Sequence, residues 1–388
     1  MGALRMHVRR SAGPALASGL VAALAAACSA APGGSHLARV PATQRLTAYV
    51  LNSGSDTVTP VRLDHMAAGK AIAVGRYPIA LTYSAASRTV YVASDLNPLR
   101  KIRGIVTPIS TSSHLAGRPV PVGTQPFAIT AIPGGTIVYV SSGGPPRSVV
   151  PIGAMTNSPG KALRGGGPIA VTADGAVAYI VTGIGTVRPL HTATGALGKA
   201  IQAGRGPALG YVTPTGRTLY VVHDPYPNHA VPGYVTPIRI STGSRGRPIW
   251  VGLHPDAIVA APGAGTLYVA NVSSGSVTPV SMSSNSAGRP IQVGQYPSAM
   301  AITPDGKTVY VVNAGSGTVT PITVATDTAG QPIMVGQEPN SIAITPDGSL
   351  ALVTNFGSNT VTPIWTATNS TGPAVRVGSG PEGLVIAP

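Results

Sequence analysis

From residue 46 onward, short apolar, β-branched runs alternate with clusters of Gly, Pro, Asn, Asp, Ser and Thr. In the last complete period the runs are residues 341–345 (SIAIT), 351–354 (ALVT), 360–364 (TVTPI) and 374–377 (AVRV). Runs of this length between turn residues predict β-strands. The Pro-Asp-Gly triplets ending at Gly306 and Gly348 predict hairpin turns, with Gly taking the positive φ that other residues avoid.

The pattern repeats about every forty residues. A Tyr-Val strand begins at Tyr49, Tyr91, Tyr139, Tyr179, Tyr220, Tyr268 and Tyr310, with Leu352 in the eighth copy. A Val-x-Pro strand recurs eight times, from Pro60 to Pro363, and Gly-x-x-Pro eight times, from Gly75 to Gly378. Four strands per period is one blade of a β-propeller. With the strands named a to d from the centre outward, Gly-x-x-Pro is the passage from strand d to strand a of the next blade. The chain enters on a b strand and leaves on an unpaired a strand, residues 382–387. That strand is expected to complete the first blade and close the ring, burying edges that otherwise invite aggregation. The fold expected is therefore all-β, a single propeller of four-stranded blades, with eight blades favoured. Pro inside strand c should forfeit a ladder bond, so a bulge or the end of strand d is expected beside it.

Residues 352–364 (LVTNFGSNTVTPI), with Thr345-Pro-Asp-Gly348 and Val335-Gly336, resemble the YVTN family of β-propeller repeats. The resemblance spans residues 46–388 and is strongest in the last three copies. It implies an exported or surface propeller, commonly of seven blades, which is the alternative count. It brings no shared catalytic residues.

Residues 1–27 read as a signal peptide. Arg5, Arg9 and Arg10 precede an uncharged run that ends at Cys28, the only cysteine. The run resembles a bacterial lipobox, with its Leu one place further from the cysteine than usual. Lipidation of Cys28 is expected, followed by a flexible tether over 28–45 and the propeller over 46–388. The expected address is extracytoplasmic, anchored to the cell membrane, with a secreted chain as the alternative.

Composition narrows the chemistry. The 388 residues hold 49 glycines and 38 prolines, eleven Asp plus Glu, and a net charge of +15. No nucleophile, P-loop or zinc motif is present, and a cysteine nucleophile is excluded once Cys28 is lipidated. Lys70, Arg118, Lys161, Lys199, Arg247 and Arg289 each follow a Gly at the start of strand d. They predict a basic band on the rim opposite the Gly-x-x-Pro loops, suited to an anionic envelope polymer or lipid headgroups, or to keeping edge strands apart. Aromatics at 4% are too few for stacking nucleic acid.

Two b–c loops, residues 95–104 and 223–233, are longer than the rest and share a face with the d–a loops. His223, Asp224 and His229 fall in the second, and His254 and Asp256 in the next d–a loop. No cofactor is expected; the alternative is a divalent metal, which imidazole and carboxylate suit, with His223, His229, His254 and Asp256 as its ligands if at least three converge. Arg76, Tyr77, Gln125, Tyr296, Glu338 and Glu382 add polar groups around the mouth of the central channel. The reading favoured is a non-catalytic, envelope-tethered monomer that binds a protein partner or small ligand on this face. The alternatives are a propeller enzyme of lactonase, lyase or quinoprotein type, and a structural cell-surface repeat.

Overall fold

A computed structural model describes residues 46–97, 102–224, 231–263 and 265–388. Every regular element among them is a strand, and the strands form eight antiparallel sheets in a ring. Blade 6 shows the unit: strand a is Pro255–Ala260, b is Thr266–Asn271 and c is Ser276–Ser281. Its outer strand d comes in two pieces, Ser286–Ala287 and Ile291–Gln292. Cys28 and residues 1–45 lie outside the described residues, as does His229.

The ring closes as the chain ends predicted. Pro381–Ala387 pairs antiparallel with Thr47–Asn52 and supplies strand a of blade 1. The count is eight blades, against the seven usual for the YVTN resemblance. Strand b is the most deeply buried in each blade, and its β-branched residues face both neighbouring blades. One core cluster joins Tyr310, Val312 and Val319 of blade 7 to Ile342, Ala351 and Val353 of blade 8. Each seam therefore buries apolar area on two faces, which supplies most of the favourable free energy of a repeat fold.

The proline of strand c accounts for the split in strand d. In blade 1, Val61 and Arg62 pair with one half of strand d, and Thr57 and Val58 with the other. Pro60 sits at the gap, where its missing N–H has no ladder partner to disappoint. Gly69 fills the gap instead and donates its N–H to the Pro60 carbonyl at 2.7 Å. The same bond recurs in all eight blades, as in Gly198 to Pro189 and Gly372 to Pro363. Gly leaves room for the proline ring: an added Cβ would lie 2.8 Å from it in blades 4 and 5 and 3.0 to 3.2 Å in the others.

This geometry corrects one expectation. Lys70, Arg118, Lys161, Lys199, Arg247 and Arg289 follow those glycines, so they lie exposed in or beside the interruption of strand d. The basic band runs around the middle of the outer wall, not along the far rim.

Candidate functional site

The face carrying the b–c and d–a loops is held together by the loops themselves. Side chains of the b–c turns accept hydrogen bonds from the backbone of the d–a loops. Ser274 Oγ takes Leu253 N–H at 2.8 Å, Ser316 Oγ takes Gln295 N–H at 2.7 Å, and Asp56 takes Tyr77 N–H at 2.8 Å. With the loop fixed, the residue before the a-strand proline is left-handed: Tyr77, Gln125, His254, Tyr296 and Glu338 have φ between 49° and 55°. Gly206 and Gly380 occupy the same place with positive φ. Non-glycine residues pay about 1 kcal/mol or more for that conformation. Five side chains are nonetheless retained there, at the channel mouth.

The residue after the Gly-x-x-Pro proline of each blade forms an inner ring. These residues are partly exposed in every blade, although strand a is innermost, so their exposure is to the channel and its mouth. Half the ring is apolar: Ile79, Phe127, Ile169 and Ala208 in blades 2 to 5. The other half, Asp256, Ser298, Asn340 and Glu382 in blades 6 to 8 and 1, is polar and acidic. Asn340 Nδ2 donates to the Glu382 carbonyl at 3.3 Å, and Ser53 Oγ to the Glu382 carboxylate at 2.8 Å.

Electrostatics marks the acidic half. Burial, reinforced by Asp224, pushes the Asp256 carboxyl up to about 7, and burial raises Glu382 despite the Ser53 bond. His254 Nε2 stands 3.6 Å from Asp224 Oδ2. Asp224 Oδ1 is buried and has no hydrogen-bond partner among the described residues. Across the mouth, Arg76 lies 5.7 Å above the exposed Tyr77 ring. Asp95, buried at the start of the other long loop, accepts the Gln125 N–H, and burial pushes it up to about 6.

The candidate metal ligands are brought together only in part, and His229 lies outside the described residues. His254, Asp224 and Asp256 gather on one side, but no group of three or more His, Cys, Asp or Glu among the described residues is placed to hold a metal. His223 belongs not to the loop but to strand b, Thr218–His223, as its last residue, and is fully buried. Its ring stacks on Tyr234, and its Nδ1 meets the Arg205 carbonyl at 3.0 Å. Sequence reasoning also missed Ser53, Ser298 and Asn340. Ser298 and Asn340 share a register, one residue after the Gly-x-x-Pro proline, which is the signal that finds them, whereas Ser53 lies in a b–c turn and only its bond to Glu382 reveals it.

No family model matches the sequence, and none of the curated proteins does. Solved structures match the fold. Kuenenia stuttgartiensis hydrazine synthase aligns over 75% of this chain and 96% of its own, at 20% identity and a TM-score of 0.59. The dihydro-heme d1 dehydrogenase NirN, solved in complex with DHE, aligns over 87% of this chain and 74% of its own, at 16% identity and a TM-score of 0.71. Apo AztD from Citrobacter koseri aligns over 88% of this chain and 98% of its own, at 12% identity and a TM-score of 0.63. At these identities the likeness is one of fold, and function has to be argued from the site.

Proposed function

We propose that this chain is a non-catalytic binding propeller, tethered outside the cytoplasmic membrane through Cys28, that takes a small organic cation at the channel mouth. The observation that carries the reading is the two-sided inner ring. In a chain of net charge +15, desolvated carboxylates stand at both ends of the polar arc, Asp256 in blade 6 and Glu382 in blade 1, and the apolar arc of Ile79, Phe127, Ile169 and Ala208 completes the ring. Buried carboxylates without a fixed cation are costly, and a bound ammonium group would offset that cost. The apolar arc suits the body of such a ligand, and the exposed Tyr77 and Tyr296 rings can face its charge. Among the described residues nothing at the mouth pairs a nucleophile with a base, which favours binding over catalysis.

A thermal-shift comparison tests this reading, using choline and 1,5-diaminopentane as cationic probes, glutarate as the anionic control and zinc chloride as the metal arm. The ammonium probes should raise the melting temperature of the native chain and fail to do so in Asp256→Asn/Glu382→Gln. Stabilisation by glutarate alone, or by zinc alone, would overturn the reading.

A further inference from the structure

Blade 5 breaks the internal rule of the repeat at one place. In blades 1, 6, 7 and 8, strand b ends on a buried Asn: Asn52, Asn271, Asn313 and Asn355. Each Nδ2 donates to two hydroxyls of strand c, as Asn313 does to Thr318 and Thr320 at 3.1 and 2.9 Å. In blade 5, His223 replaces the Asn and Tyr234 the first hydroxyl residue, leaving the buried Thr236 hydroxyl without a partner among the described residues. The His223 and Tyr234 rings stack with centroids 4.3 Å apart, and Trp250 meets Tyr234 edge-on at 5.4 Å.

The exchange builds something. The His223 ring and the Tyr234 hydroxyl both hold the Arg205 carbonyl, at 3.0 and 3.2 Å, which fixes the residue that carries the Arg205 side chain. A cavity of about 540 Å³ opens here between blades 4 and 5, lined chiefly by Ile184, Gln202, Arg205, Tyr234, Arg245 and Trp250. Trp250 is 58% exposed and Ile184 85%. At the place of Trp250, the other outer strands carry residues such as Ala73, Gln292 and Arg376. Among the described residues no Asp or Glu lines the cavity. The Arg147 guanidinium lies against Gly183, beside Ile184, and adds a third cation nearby.

An open trough with aromatic faces, two arginines and no carboxylate selects a ring-shaped anion. The negative face of an indole attracts the C–H face of a pyranose, and a guanidinium fork matches a carboxylate. We propose that this cavity binds a uronate residue of an acidic polysaccharide, with Trp250 under the sugar ring and Arg205 and Arg245 on its carboxylate. The site is separate from the channel mouth and does not depend on the function proposed there.

The test is fluorescence titration of the mature chain with a galacturonate hexamer, in a Trp365→Phe background that leaves Trp250 as the sole tryptophan. Saturable change in emission is expected. Affinity should fall at least about tenfold in Arg245→Gln, and by calorimetry in Trp250→Ala, both melting as the parent does. A neutral glucose hexamer should bind at least about tenfold more weakly than the uronate. Equal binding of the neutral hexamer would overturn the proposal. So would unchanged affinity in both variants, or an equal loss in Lys161→Gln/Arg289→Gln, which would assign the binding to the basic band.

Discussion

The Tyr310 hydroxyl donates a 2.6 Å hydrogen bond to Asn369 Oδ1, and the two residues belong to different blades. Tyr310 lies in strand b of blade 7; Asn369 sits in the c–d turn of blade 8 with φ at 55°. The pair recurs as Tyr91 with Asn157, Tyr220 with Asn285 and Tyr268 with Asp327, and Tyr49 meets His114 in the same way. Where Tyr gives way to Leu352, the turn residue of the next blade is Met66, and both belong to one apolar cluster. Tyr139 faces a turn with Gly195 in that place, and its buried hydroxyl finds no partner among the described residues. The landmark tyrosine is thus half of a latch between blades.

Removing the latch should cost the net value of a partly buried hydrogen bond, about 1 kcal/mol. Asn369→Ala and Tyr310→Phe should each lower the stability measured in urea by roughly that amount. The double variant should lose clearly less than the sum. Additive losses would mean that the two groups do not act as a pair.

Closure makes a larger prediction. Deleting residues 381–388 removes strand a of blade 1 and exposes the edge of Thr47–Asn52. The loss should be several kcal/mol, read as a fall in melting temperature and a tendency to aggregate. An unchanged melting temperature would contradict a ring closed in this way.

Burial holds His223 at about 4, well below the ordinary value of 6.5. Because the folded value is depressed, the unfolded chain takes up the proton first as pH falls. Stability is therefore lost progressively from about pH 6.5 down to about 4, by roughly 2 kcal/mol between pH 6.5 and 5. Replacing His223 by Asn and Tyr234 by Thr restores the usual pair of the repeat and should remove that share of the acid sensitivity. Denaturant titrations of both proteins at pH 7 and 5 measure the difference.

Lipidation of Cys28 carries the proposed address. Cys28→Ala should move the protein from the membrane fraction to the soluble or secreted fraction. A variant that still sediments with membranes would remove the anchor from the account.

What the sequence disclosed follows from where its constraints are local. The period, the four strands and the orphan final strand lie in contiguous runs, so the eight blades and their closure could be read directly. The gap beside Pro60 is foreshadowed by the strand-c proline, and the Gly69 that fills it recurs nine residues after that proline in every blade; the pattern alone does not show that the two are hydrogen-bonded. His223 was misplaced because strand b runs one residue further than the loop boundary suggested, and that residue turns a candidate ligand into a buried ring. The channel-mouth candidates His254, Tyr296, Glu338 and Glu382 were legible because Gly-x-x-Pro fixes their register. The Tyr310–Asn369 latch was not, since its partners are 59 residues apart and pair only once the ring is assembled.

If the acidic arc of the channel mouth receives a cation, as proposed, Asp256 gives that binding a pH signature. With its carboxyl near 7, Asp256 is mostly protonated at pH 6 and mostly charged at pH 8. Calorimetric titration of the better ammonium probe should therefore give an affinity about tenfold tighter at pH 8 than at pH 6. In Asp256→Asn the affinity should be weaker and the pH dependence flat. Tighter binding at pH 6, or the same pH dependence in Asp256→Asn, would contradict the account.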